Sequence, residues 1–159
     1  MPEVVEGLIP EERKDVENVL RSSGFFYEFE IETALEIFDE TISKGEAGSG
    51  YHWLKVREDD HLVAFANYGK NSFSVHSWDL YWIAVHKDFQ NKKLGSLLLR
   101  SAENDVRKKG GRIIWIETSG RPLYTPTVEF YKRNGYELNA VLKDFYAPGD
   151  SKLVFSKVL

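Results

Sequence analysis

The sequence predicts a mixed α+β domain, with a mostly antiparallel central sheet of about six to seven strands flanked by about four helices. Three observations point there. Apolar residues step by threes and fours in some segments and alternate or run continuously in others, and the two patterns are interleaved along the chain. Near the middle a strand, a helix and another strand follow one another, which calls for a parallel pair with a right-handed crossover. On either side of that unit, strand pairs are joined by short turn signals and should be antiparallel. At 159 residues the chain matches the length of one domain, 1–159, and it shows no repeat, low-complexity segment or linker.

A first strand is expected near Val4 and Val5. Pro10 to Ser22 reads as a short helix: proline suits a first turn, Val16, Val19 and Leu20 form a stripe, and Gly24 follows. A second helix runs from about Glu30 to Lys44 on the face Ile31, Ala34, Leu35, Phe38 and Ile42, and Gly45 closes it. Between them, "GFFYEFE" mixes aromatic residues with glutamates and has no clear period. The segments "YHWLKVRE" and "HLVAFANYG" form a hairpin across Glu58-Asp59-Asp60, and "SWDLYWIAV" is a third strand. Leu94 to Lys109 is the strongest helix. Leu94, Leu98, Ala102 and Val106 step by four, Arg107, Lys108 and Lys109 suit its negative end, and Gly110 and Gly111 stop it. "RIIWIETS" reads as a buried strand, and Thr127 to Asn134 as a short helix ended by Gly135. "YELNAVLKDFY" and "KLVFSKVL" then pair across "APGD".

Composition narrows the function. The net charge of −4 supplies no global field for nucleic acid or an anionic membrane. The absence of cysteine removes disulfides, thiolate metal sites and a cysteine acyl-enzyme, and it fits a reducing, cytoplasmic setting. The start "MPEVVEGLIPEERK" lacks the basic and apolar regions of a signal peptide, and no stretch has the length of a membrane span. His52, His61, His76 and His86 show no ligand spacing, so no metal is expected. Trp53, Trp78, Trp82 and Trp115 read as core.

One segment resists a bland reading. In "QNKKLGSLLL", Lys92 and Lys93 open a helix, where the dipole disfavours cations, and no acid follows until Glu103. Either both ammonium groups point into solvent, or the free N–H groups of the helix start hold an anion that makes the lysines welcome.

The segment "IAVHKDFQNKKLGSLLL" resembles the acetyl-CoA loop of the GNAT superfamily of acetyl-CoA-dependent N-acetyltransferases. The family pattern ends a strand in valine, then runs Arg or Gln, two residues, Gly, one residue, and Gly or Ala. Val85, Gln90 and Gly95 fit, and Lys93 stands where the family has its first glycine. The element order matches the family fold, and "TVEFYKRNGY" looks like its "xxxFYxxxGF" helix. The resemblance implies acetyl-CoA as co-substrate, held by Ile83, Ala84, Val85, Gln90, Asn91, Lys92, Lys93, Leu94, Gly95 and Ser96, and a primary amine as acceptor. The expected transfer is direct, in a ternary complex, because no cysteine is there to carry the acyl group.

Three residues are candidates for the chemistry. Tyr131 matches the family tyrosine that meets the departing sulfur; by pattern alone it reads as a core tyrosine on the helix's apolar face. Asp79 lies on a strand in an otherwise apolar row with Tyr81, Ile83 and Val85. Six residues of strand from Asp79 to Val85 span ~20 Å at ~3.3 Å each, close to the reach of a pantetheine arm. That suits Asp79 as the base that deprotonates the amine, unless it is a solvated strand start. Glu117, at the end of "RIIWIETS", is the second candidate base or a solvated strand end. Phe25, Phe26 and Tyr27 fall in the region that resembles the family's acceptor lid; Tyr124, in place of a frequent family asparagine, and Tyr146 complete the acceptor candidates. Family members are often homodimers. Rival readings are a transferase of longer acyl-CoA, a non-catalytic CoA-binding or regulatory module, and an interaction domain whose basic loop is solvated.

Overall fold

The computed structural model describes residues 2–159. Its strands are β1 (Val4–Glu6), β2 (His52–Glu58), β3 (His61–Lys70), β4 (Ser77–Val85), β5 (Ile113–Ser119), β6 (Glu137–Ala147) and β7 (Asp150–Val158). Its helices are α1 (Arg13–Ser23), α2 (Glu28–Ser49), α3 (Leu94–Lys108) and α4 (Thr125–Arg133). The seven strands form one sheet in the order β1-β2-β3-β4-β5-β7-β6. The β4–β5 pair is parallel, as the strand–helix–strand order requires, and the β1–β2, β2–β3, β5–β7 and β6–β7 pairs are antiparallel. The short strand expected at Val4 and Val5 is present, with Val4 opposite Val56.

Two compact units divide the chain, one made of residues up to Gly69 with Trp82–Asp105, the other of Lys70–Tyr81 with Val106–Leu159. In the first, the apolar faces of α1 and α2 pack on β2 and β3. Val16, Leu20, Ala34 and Phe38 meet Trp53 and Phe65, all of them buried. Phe38 stands edge-on to Trp53 at 5.9 Å between ring centroids, and the indole N–H of Trp53 donates to Thr41 Oγ1 at 3.0 Å. On β3, Phe65 faces this cluster, whereas Tyr68, three residues on, turns the other way and donates to Asp105 of α3 at 2.6 Å. Strand alternation produces that reversal.

Two details of this unit depart from the sequence reading. The helix expected to end at Lys44 breaks where glycine marks it, Gly45 holding φ 73° and ψ 171°, but helical turns resume and carry α2 to Ser49. The charged start "PEERK" forms a 3-10 turn over Pro10–Glu12 before α1, and Glu12 is buried. Its carboxylate accepts from the Ile9 N–H and Lys55 Nζ, both at 2.8 Å, and from Arg57 Nη1. A buried carboxylate with two cations and a main-chain donor is a satisfied cluster, which is what makes its burial tolerable.

In the second unit β5 is central. It pairs with β4 over Ile113–Ile116 and with β7 along its whole length. Ile114, Ile116 and Phe155 are buried. Gly111 is required by a close approach: a Cβ there would lie 2.3 Å from a Val106 methyl and 2.5 Å from the Trp78 ring. Helix α4 begins at Thr125, two residues before its expected start at Thr127. No helix among the described residues is long and apolar enough to cross a membrane.

Candidate active site

The loop after β4 is built by local main-chain bonds. The His86 N–H donates to the Val63 carbonyl at 2.9 Å, tying the end of β4 to β3. A single 3-10 turn, Lys87–Phe89, follows, and His86 Nδ1 caps it by accepting the Asp88 N–H at 3.1 Å. The Lys87 N–H donates to Ser22 Oγ at 3.2 Å, and Gln90 Nε2 reaches back to the Val85 carbonyl at 3.3 Å. Asn91 and Lys93 then take left-handed conformations, φ 63° and 61°. The first bond of α3 runs from the Leu97 N–H to the Lys93 carbonyl at 3.1 Å. The N–H groups of Leu94, Gly95 and Ser96 therefore lie outside the helix's own bonding.

This is the geometry of an anion cradle, in which alternating left-handed residues lead into a helix start with no acid in its first turn. Lys93 adopts the conformation that glycine would take more cheaply, so its presence at the family's glycine position is accommodated in the backbone. Lys92 and Lys93 are exposed, with Lys92 Nζ 5.1 Å from the Phe89 ring centre. Ile83, Ala84 and Val85 are half-buried on β4, and Ala84 packs on the α1–α2 cluster.

In the same unit Phe26 meets Trp82 of β4 edge-on at 5.2 Å, so one of the three aromatics expected to face the acceptor is placed beside that strand. Tyr27 is exposed and stacked on Phe29 at 5.5 Å, and the Phe25 N–H donates to Ser23 Oγ. The nearby glutamates have local duties: Glu28 makes two hydrogen bonds to Arg21, and Glu30 accepts the Tyr27 N–H at 3.0 Å. They serve the start of α2.

In the other unit, Asp79 lies opposite Trp115 in the β4–β5 ladder. Partial burial pushes its carboxyl above the ordinary range; the Asn71 hydrogen bond opposes that shift and the charge of Glu117 adds to it. Asn71 Nδ2 donates to Asp79 Oδ2 at 3.1 Å. Glu117 is exposed and ion-paired with Lys152 of β7 at 2.9 Å, and Lys152 also lies 3.8 Å from the Phe145 ring centre. The two carboxylates thus differ in kind: one is partly desolvated and faces an amide, the other is solvated and faces an ammonium. The hydrogen-bonded ladder between β4 and β5 covers Ser77–Leu80 and Ile113–Ile116, short of the ends of both strands.

Tyr131 is buried on α4, its ring 6.1 Å from those of Tyr136 and Phe155, and burial pushes its phenol well above its usual range. Such a phenol stays protonated and can donate a hydrogen bond. Tyr124 is buried beneath the Arg121 guanidinium, 5.5 Å from its ring centre, and Tyr146 is exposed, edge-on to Phe145. The partner of Asp79 was missed in the sequence. Its signal is the "KNSFS" turn, where an asparagine can bond a main-chain N–H two residues on, as Asn71 does with Phe73.

Comparison with known proteins identifies the family. The model of the acetyltransferase (GNAT) family matches residues 14–136. A crystal structure of a Desulfovibrio desulfuricans protein assigned to the GNAT family superposes with a TM-score of 0.95 at 39% identity, covering 99% of each chain. PaiA N-acetyltransferase from Thermoplasma acidophilum, solved with coenzyme A, shares the fold at a TM-score of 0.75 and 19% identity, covering 99% of both chains. The [ribosomal protein bS18]-alanine N-acetyltransferase of Salmonella typhimurium is 28% identical over 102 residues, 64% of this chain and 66% of that protein's length, just under two thirds of it. The family match takes in β4, the loop after it, α3, β5 and α4 alike. The chain belongs to the GNAT family of acetyltransferases.

Proposed function

We propose that this enzyme transfers the acetyl group of acetyl-CoA directly to a primary amine of a small molecule or peptide. The observation that carries the proposal is the turn from Val85 into α3. Left-handed Asn91 and Lys93, the unspent N–H groups of Leu94, Gly95 and Ser96, and two exposed lysines converge on what a diphosphate needs. The residues present fit that group, and the pairing is chemically economical: an anion here satisfies main-chain donors and relieves two cations at a helix's positive end.

The acceptor amine, with an ordinary pKa of ~10.4, is almost wholly protonated at neutral pH and must lose a proton to attack. Asp79 is assigned as the base, acting directly or through water, because partial burial raises its affinity for that proton. Glu117, ion-paired with Lys152, is assigned the lesser role of a nearby negative charge that favours protonation of Asp79. Tyr131 is assigned as a hydrogen-bond donor to the leaving sulfur. Complete proton transfer from it is unfavourable, since an ordinary phenol of ~10 already exceeds a thiol of ~8.5 and burial widens the difference. With no cysteine in the chain, a thioester acyl-enzyme has no carrier, which supports direct transfer. A peptide amine among the acceptors is supported by the Salmonella relative, which is named for an alanine of a ribosomal protein.

The test is a panel of amines, including peptides, assayed for release of free CoA thiol from acetyl-CoA. Acceptor-dependent release with at least one amine is expected. Binding of CoA without release across the panel supports a binding module instead, and no binding at millimolar CoA rejects the reading entirely.

A further inference from the structure

The turn between β3 and β4 is organised around one side chain that the family resemblance does not mention. Every polar group of Asn71 is committed. Its N–H donates to the Ser77 carbonyl at 3.0 Å, and its carbonyl accepts the Ser74 N–H at 3.3 Å. Its side-chain oxygen accepts the Phe73 N–H at 2.9 Å, and its side-chain nitrogen donates to Asp79 Oδ2 at 3.1 Å. Ser74 Oγ closes the turn by accepting the Ser77 N–H at 3.0 Å.

The third of these bonds decides the chemistry of the fourth. An asparagine amide can in principle be turned either way, but only its oxygen can accept the Phe73 N–H. The group presented to Asp79 is therefore the NH2, a donor that bonds far better to a carboxylate than to a carboxylic acid. Against it stand two influences that favour the neutral acid, namely the half-buried position on β4 and the like charge of Glu117 on β5. Glu117 is held in turn by Lys152 of β7, which keeps its charge in place.

We propose that Asn71 is a positioning residue for the acceptor-activating carboxylate, its amide locked by the turn so as to hold Asp79 aimed and charged. This rests on the assignment of Asp79 as the base. The turn carries Phe73 fully exposed at its tip, so that side chain serves as a control that leaves the Asn71 bonds in place.

The experiment follows the Asp79 carboxyl by carbon NMR of the intact protein across pH, its signal identified by its absence in Asp79→Asn. Asn71→Asp keeps an acceptor for the Phe73 N–H while exchanging the donor for a second negative charge, and Asn71→Ala removes both. The midpoint of Asp79 should rise by about one unit in Asn71→Ala and further in Asn71→Asp, and stay put in Phe73→Ser. The acidic limb of kcat/KM should move to higher pH by the same amount, with KM for acetyl-CoA unchanged. An unmoved midpoint in both Asn71 variants overturns the proposal. A midpoint that moves while the acidic limb does not overturns Asp79 as the base and leaves Asn71's control of its charge standing.

Discussion

Replacing Lys93 by glycine separates two effects that the structure superimposes at one residue. The backbone there has φ 61°, a left-handed conformation that costs a side chain-bearing residue ~1–2 kcal/mol and costs glycine almost nothing. Glycine adds ~0.4–1 kcal/mol of unfolded-state entropy, which offsets much of that relief. Removing a cation from the positive end of α3 contributes a further ~0.3–1 kcal/mol in the same direction as the relief. The net is a stabilisation of about 1 kcal/mol, or a rise in Tm of roughly 2–4 °C for a chain of this size. Binding should move the opposite way. An exposed ammonium near a phosphate is worth on the order of 1 kcal/mol, so the Kd for acetyl-CoA should rise about fivefold at low salt. That difference should shrink towards none near 1 M salt, where the screening length falls to ~3 Å. Thermal unfolding without ligand and calorimetric titration at two ionic strengths read out both effects. A variant that is less stable and binds acetyl-CoA as tightly as the parent would refute the reasoning. So would a loss of affinity indifferent to salt.

Other consequences are equally direct. Glu12→Gln leaves buried Lys55 without its counter-charge and should destabilise the protein by about 3–5 kcal/mol, read by urea unfolding. Tyr131→Phe should lower turnover at least tenfold with little change in the Kd for acetyl-CoA, measured by thiol release and calorimetry; a Kd that changes as much as turnover would place Tyr131 in binding instead. The Asp79 carboxyl binds its proton more tightly folded than unfolded, so its contribution favours the fold at acidic pH and is lost as pH rises through its raised folded value. Asp79→Asn should therefore be the more stable protein at neutral pH by denaturant unfolding, while losing the acidic limb of kcat/KM.

Much of the fold was legible because local pattern and tertiary role agree. In α3 the four-residue step of Leu94, Leu98, Ala102 and Val106 is the buried stripe. The hairpin across Glu58-Asp59-Asp60 forms where two aspartates accept left-handed turns, φ 49° and 65°. The loop after Val85 drew attention for a different reason: cations where a helix disfavours them are a local contradiction, which the anion proposed there would resolve. Glu12 was not legible. Its neighbours describe a solvated first turn, and the partners that permit its burial, Lys55 and Arg57, lie 43 and 45 residues away. Asn71 was half legible: the sequence marks a turn there, but nothing local says that the free end of the amide meets a carboxylate eight residues later. The glutamates of the α1–α2 connection show the reverse, since their bonds, Glu28 to Arg21 and Glu30 to the Tyr27 N–H, lie within seven residues.

Amide NMR of the intact protein titrated with CoA tests the central claim most directly. The account predicts that the largest shifts fall on the N–H groups of Asn91 to Ser96, and that 3′-dephospho-CoA, which keeps the diphosphate, reproduces them. Saturable binding that leaves those amides unmoved while residues elsewhere respond would contradict it.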